Sequence, residues 1–138
     1  LSAEALGIME VLNKLTVEYS KTRKQFGAPI GSFQALQHRM VDNFMAFEQS
    51  KSMVYRGICE STSFNKNDID INQFLKTAHA VKALIAKNSK QIGDESIQIH
   101  GGIGMTDELN IGHFVKRLMM INVLFGDGDF HRQCFSQN

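Results

Sequence analysis

The sequence predicts an all-α fold, an antiparallel four-helix bundle, and three observations carry that prediction. Proline occurs once in 138 residues and tryptophan not at all, which favours long, uninterrupted helices. Long stretches repeat apolar residues at three- and four-residue spacing, the period of an α-helix. The breaks between them fall at clusters of glycine, proline, asparagine and aspartate, the residues that interrupt helices. Long helices joined by brief loops pack as a bundle. The chain shows no internal repeat, no low-complexity tract and no second domain.

The first helix is expected from Leu1 to about Arg23, with Leu6, Met9, Val11, Leu12, Leu15, Val17 and Tyr19 as its apolar stripe. Phe26-Gly27-Ala28-Pro29-Ile30-Gly31 ends it. Gly27 is a candidate C-cap, and Pro29 forbids continuation. Ser32 is a candidate N-cap for the second helix. That helix carries Phe33, Leu36, Met40, Phe44, Phe47, Met53, Val54 and Ile58 and extends to about Ser61. The polar segment from Ser61 to Asp70, with Asn65, Asn67 and Asp68, reads as a loop.

The third helix starts near Asp70 or Asn72, either of which can cap it. It contains Phe74, Leu75, Val81, Ile85, Ile92 and Ile99 and passes through Gly93. The glycines at 101, 102 and 104 end it. A fourth helix is expected from about Asp107-Glu108, acids suited to a helix N-terminus, through Phe114, Val115, Leu118 and Ile121 to Leu124. Gly126-Asp127-Gly128-Asp129 breaks it, and a short helix from Phe130 to Phe135 can follow.

Composition excludes several classes of function. Fifteen basic residues face fourteen acidic ones, a net charge of +1, so electrostatics favour neither nucleic acid nor an anionic membrane. No apolar run approaches the roughly 20 residues of a membrane span, and no signal-peptide pattern is visible. Cys59 and Cys134 make no disulfide framework and read as reduced thiols of an intracellular, cytoplasmic protein. Cys59, inside an apolar helix, is expected to be a small core residue. The chain starts at Leu1, already inside a helical pattern, which implies one domain of a longer protein.

Chemistry-bearing constellations are few. The five histidines, His38, His79, His100, His113 and His131, include no Glu-x-x-His pair of a bundle di-iron site and no zinc spacing, so no metal is expected. Gly-x-Ser-x-Gly is absent, and neither cysteine has an activating context. Two segments stand out. Gln98-Ile99-His100-Gly101-Gly102-Ile103-Gly104-Met105 places three glycines after a long helix. Glycine there permits positive φ or the close approach of a cofactor or another subunit. Because no strand precedes it, it is no strand–loop–helix nucleotide fingerprint. Lys21-Thr22-Arg23-Lys24 is by itself a solvated basic helix end. With Gln25 and Phe26 following, it can also grip a phosphate and cover an apolar ring system.

Both segments resemble signatures of the acyl-CoA dehydrogenase family. Tyr19-Ser20-Lys21-Thr22-Arg23-Lys24-Gln25-Phe26-Gly27-Ala28-Pro29-Ile30-Gly31-Ser32-Phe33-Gln34 is similar to the family's Y-x-x-x-R-x-x-F-G-x-x-[IL]-x-x-x-Q. Ile97 to Met105 is similar to its Q-x-x-G-G-x-G-[YFM]. The resemblance runs over residues 1–138 and implies the family's C-terminal helical domain, without the N-terminal helical and middle β domains. It implies FAD, an acyl-CoA substrate, an electron-transfer flavoprotein as acceptor, and a homo-oligomer or a hetero-oligomer with a second dehydrogenase subunit. In the implied reaction a carboxylate removes the α-proton and the β-hydrogen leaves as hydride to FAD. On its own, the domain is expected to be inactive.

By residue-to-residue match, the resemblance assigns FAD contact to Arg23, Lys24, Gln25 and Phe26, to Phe33 and Gln34, and to Gln98, Ile99, His100, Gly101 and Gly102. It further assigns Asp127 and Asp129 near the end of the chain. The family's catalytic glutamate belongs to an E-G-[TS] motif, and here Phe125 stands in the glutamate's place before Gly126. The ending Leu124-Phe125-Gly126-Asp127 instead resembles a bacterial subgroup, which includes the pimeloyl-CoA dehydrogenase small subunit. The base then lies upstream of Leu1, on a partner subunit, or at Asp127, with Glu4 an outside candidate. Two alternatives stand beside the dehydrogenase reading: a non-catalytic subunit that completes a partner's FAD site, and a flavin monooxygenase or oxidase relative on the same fold.

Overall fold

The structure, a computed structural model, describes residues 1–66, 68–106 and 108–137. The helices are α1 (Ser2–Thr22), α2 (Gln34–Asn65), α3 (Ile71–His100), α4 (Ile111–Val123) and α5 (Gly128–Gln137). Between α1 and α2 lies a hairpin of two short strands, β1 (Lys24–Gln25) and β2 (Ala28–Pro29), followed by a 3₁₀ turn over Ile30–Ser32. Helix α3 packs against each of the other four helices. Its neighbours α2 and α4 run antiparallel to it. Successive contacts with α2 descend one helix as they climb the other: Phe64 stacks on Phe74, Asn88 reaches Ser50, and Arg39 pairs with Glu95.

The helical periods translate into burial. Met9 and Leu12 of α1, Ile85 and Ile92 of α3, and Ile121 of α4 are wholly buried. Gly93 continues α3 and faces α4, where a Cβ would lie in ordinary contact, 3.5 Å from a Val115 methyl. Removing most of a buried leucine or isoleucine costs about 2–5 kcal/mol, so this seam sets the stability of the bundle. Some of the buried polar groups are paired across helices. Asn88 donates to Ala46 O and Ser50 Oγ, both at 3.0 Å, and Ser89 donates to Asn122 Oδ1 at 3.1 Å.

Several boundaries differ from the sequence reading. Helix α1 ends with Arg23 in extended backbone as its cap, so Gly27 is not a C-cap. Phe26 and Gly27 instead form the hairpin tip, at φ 54° and 81°, the positive pair that a two-residue type I′ turn requires. Ser32 is not an N-cap; its hydroxyl donates to Pro29 O at 2.7 Å, and Phe33 occupies the cap position. Helix α2 continues through Asn65, beyond the expected loop start at Ser61, because nothing in 61–65 breaks a helix. Of that loop, Asn67 lies outside the described residues. Asp70 does cap α3, accepting the Gln73 N–H at 2.7 Å. Helix α4 begins at Ile111 rather than near Glu108, and Asp107 lies outside the described residues. Helix α5 begins earlier than expected, at Gly128, because Asp127 caps it through the Phe130 N–H at 2.8 Å. Cys59 is exposed, on the outer face of α2, so it is no core residue.

Candidate functional site

The arginine segment and the glycine segment, some seventy residues apart in the chain, meet in space. The hairpin after α1 and the glycine turn after α3 together line a cavity of about 540 Å³. Arg23, Gln25, Phe26 and Phe33 line it from the first side, and Gln98, Ile99, His100, Gly101 and Gly102 from the second. Lys24 and Gln34 are exposed and do not form part of the lining.

The junction between the two sides is a pair of rings. Tyr19 stacks on His100 with centroids 4.4 Å apart and planes 26° apart, and the Tyr19 hydroxyl donates to His100 O at 3.4 Å. His100 is buried, and its Nδ1–H donates to Ser96 O at 2.7 Å. Burial pushes its pKa below the usual histidine value, against the raising effect of that backbone bond. A neutral ring therefore wedges α1 against α3. His100 shapes the floor, while the open wall is backbone. Gly101 takes φ 66°, and a Cβ at Gly101 or Gly102 would meet nothing within 4 Å. A planar or bulky group can thus lie directly on this backbone. Gly104 serves packing instead, since a Cβ there would stand 2.9 Å from His100 Cβ and 3.3 Å from Ile97 O.

Tyr19 reads in the sequence as an apolar stripe position and as the tyrosine that opens the arginine signature, but its partnership with His100 is not legible there. One lining residue carries no local signal at all. Arg39, one turn into α2, brings a second guanidinium, held by Glu95 through Nε at 2.6 Å and NH2 at 3.1 Å. The Glu95 carboxylate raises the Arg39 pKa further, fixing a cation at the cavity. No local motif marks Arg39, since its partner is on another helix.

The remaining assigned residues lie elsewhere. Asp127 and Asp129 line a second cavity, of about 690 Å³, between α3 and α5, together with Lys87, Lys90 and Arg132. One Asp127 oxygen is committed to capping α5. Glu4 is exposed and forms a bidentate pair with Arg117 of α4, at 2.6 and 3.1 Å. The Arg117 hydrogen bonds hold the Glu4 carboxyl below its usual range, so it is a poor proton acceptor at this position. Phe125 is 84% exposed. Among the described residues, no group of three or more histidine, cysteine, aspartate or glutamate side chains is placed to hold a metal ion, and no helix is long and apolar enough to cross a membrane.

A family described as "Acyl-CoA dehydrogenase, C-terminal domain" matches residues 1–138. The chain belongs to the acyl-CoA dehydrogenase family. It is 39% identical over 117 residues to the acyl-CoA dehydrogenase IpdE2 of Mycolicibacterium smegmatis, covering 85% of this chain and 34% of that protein. It is 27% identical over 129 residues to the short-chain specific acyl-CoA dehydrogenase of Megasphaera elsdenii, covering 94% of this chain and 32% of that protein. Among solved structures, the FAD complex of PigA superposes with TM-score 0.86 at 28% identity, over 99% of this chain and 34% of that one. Butyryl-CoA dehydrogenase from Megasphaera elsdenii superposes with TM-score 0.87 at 26% identity, over 99% and 34%. The chain therefore spans about a third of the length of the acyl-CoA dehydrogenase relatives it matches. The bundle is their C-terminal domain.

Proposed function

We propose that this chain serves a flavin-dependent acyl-CoA dehydrogenase as the domain that grips FAD across a subunit boundary and helps assemble the oligomer. One observation carries the reading: the arginine signature and the glycine signature, distant in sequence, line one cavity and are joined by the Tyr19–His100 stack. The chemistry of the donors fits a dinucleotide. Arg23 and Arg39 supply guanidinium groups for a pyrophosphate. Helix α3 ends at Gly101 and presents its carbonyl acceptors and negative dipole end there. That end suits ribose hydroxyl or adenine amino donors and repels phosphate, so the phosphates belong beside the arginines. Phe26 and Phe33 offer apolar cover.

When bound, FAD supplies the hydride acceptor of an α,β-dehydrogenation, and electron-transfer flavoprotein takes the electrons. The part of this chain is to bind and orient. Relatives named for acyl-CoA and for L-prolyl-[peptidyl-carrier protein] support an acyl thioester as the substrate class, with acyl-CoA the preferred reading. Phe125 in the usual glutamate's place favours a second arrangement for the base, in which another subunit provides it and the protein works as a hetero-oligomer.

The test uses the protein that carries this chain. Arg23→Ala should weaken FAD retention by about 10- to 100-fold, the loss of one charge-assisted hydrogen-bonding group, and Gly102→Val should do so by filling the open wall. Full FAD retention in both variants overturns the reading. Activity that appears only on co-expression with a second dehydrogenase subunit selects the hetero-oligomer. Dehydrogenation by residues 1–138 alone, with an artificial electron acceptor, would contradict a purely binding role.

A further inference from the structure

At the far end of the bundle, two histidines from different helices meet around the turn that holds Phe125. His131 of α5 and His79 of α3 approach Nδ1 to Nδ1 at 2.8 Å, and His131 Nε2 lies 3.0 Å from Phe125 O. The protons of this chain can be assigned. A carbonyl only accepts, so His131 Nε2 carries a hydrogen and donates it. Neutral His131 then has a bare Nδ1, and the proton between the rings belongs to His79 Nδ1. The relay runs from His79 through His131 to the Phe125 carbonyl.

The turn needs such a hold. Phe125 and Gly126 both take positive φ, 62° and 100°. For phenylalanine that conformation persists only where the surroundings impose it. A Cβ on Gly126 would stand 2.5 Å from the Phe130 ring and 3.1 Å from His131 Nε2, so the ring sits directly against the turn. We propose that His79 and His131 are positioning residues, a one-proton latch that clamps α5 on α3 and sets the Phe125–Asp127 turn and the α3–α5 cavity behind it.

The latch is sensitive to acid in a defined way. A proton on His131 Nδ1 sets N–H against the His79 N–H and breaks the contact. The surroundings oppose that proton. Burial lowers the His131 pKa most; His79 and Lys82 of α3 lower it further, while the Phe125 carbonyl bond and Asp127 in the turn raise it. The Phe130 ring of α5 stands edge-on at 5.2 Å, and Leu1 and Ser2, where α1 starts, line the small cavity beside His131. Because the folded pKa is depressed, the stability that the latch contributes is complete above the unfolded histidine value of about 6.5, declines below it, and the latch itself opens as pH falls through the lowered folded pKa. The consequence for cofactor binding through Asp127 and Asp129 rests on the function proposed above; the latch itself does not.

Histidine-selective nitrogen-15 NMR on the 138-residue protein reads the latch directly. Expected at neutral pH are the Nε2–H tautomer for His131 and the Nδ1–H tautomer for His79, with the Phe125 and Gly126 amides titrating in step with His131. His79→Asn keeps a donor at the same place and cannot charge. It should preserve the His131 tautomer and move the amide midpoint upward, because the lowering effect of His79 on His131 is removed. His79→Leu should leave His131 a tautomer mixture and uncouple the turn amides from its titration. An Nδ1–H tautomer for His131 in the unmodified protein, or turn amides that do not move as His131 titrates, overturns the proposal. FAD retention in the protein that carries this chain reports separately. A working latch without any effect of pH on FAD would count against the cofactor reading alone.

Discussion

Two turns of this molecule use the same dipeptide in the same backbone shape. Phe26-Gly27 and Phe125-Gly126 both place phenylalanine and then glycine at positive φ, and the two phenylalanines are 94% and 84% exposed. They sit near opposite ends of α1, which is roughly 30 Å long at 1.5 Å per residue. What differs is the means of restraint. The first turn is closed by backbone alone: β1 pairs with β2, and the Ile30 N–H donates to Arg23 O at 2.8 Å. The second is closed by side chains, the His131 imidazole and the Asp127 cap. A backbone clasp has no ionisable group, whereas an imidazole clasp titrates. The same local shape can thus be constant in one place and adjustable in another.

The largest expected effect separates the two glycines. Gly126→Ala must adopt positive φ and also overlap the Phe130 ring, so it should destabilise by about 2–4 kcal/mol, combining backbone strain with overpacking. Gly27→Ala carries only the φ penalty, about 1–2 kcal/mol, because a Cβ there meets nothing within 4 Å. Urea denaturation of both variants decides this. Equal losses would show that the two turns are restrained alike after all.

His100→Ala comes next, with an expected loss of about 2–3 kcal/mol from a buried ring that is hydrogen-bonded and stacked. Its effect should centre on the cavity beside the hairpin, disturbing Tyr19 and Gly101 amide signals while leaving Phe125 untouched. If the Phe125 turn moves as well, the two ends are coupled, and the comparison fails.

Acidification should distinguish the turns without mutation. His100 and His131 both have lowered pKa values, caused first by burial. The stability tied to each neutral ring is therefore complete above about pH 6.5 and falls as pH drops below it. The Phe125 turn should respond and the Phe26 tip should not, as amide shifts between pH 7.5 and 5 will report. The smallest effect belongs to the side chains themselves. Phe26→Ala and Phe125→Ala should each change stability by no more than about 0.5 kcal/mol, since both rings stand in solvent. A larger change in the protein that carries this chain, absent from residues 1–138 alone, would show that the ring is covered by the rest of the assembly.

Local patterns make most of the bundle legible. The third helix is readable from its Asp70 cap through Gly93 to its glycine stop, because each signal acts within a turn of its own position. The hairpin is not. Gly27 after a basic helix end looks like a C-cap, and only the pairing of Lys24 with Pro29 and of Gln25 with Ala28 shows it to be a type I′ tip. Helix α5 is half legible, because Asp127 caps it from inside a segment that reads as a break. At the candidate site, Arg23, Phe26, Gln98 and the glycines stand out by motif. Tyr19 opens the same signature, but its stack on His100 is not legible there, and Arg39 has no motif, since its partner Glu95 sits on a helix far along the chain.

Helical character, the ends of most helices and the two segments that carry the family's signatures all follow from the amino-acid order. Those depend on propensity, capping and spacing, which act over a few residues. That the two signatures line one cavity, that Asp127 and Asp129 face another, and that His79 meets His131 are outcomes of tertiary packing. Each of those pairings joins residues far apart in the chain, and it is the packing of α1, α2, α4 and α5 around α3 that brings them together.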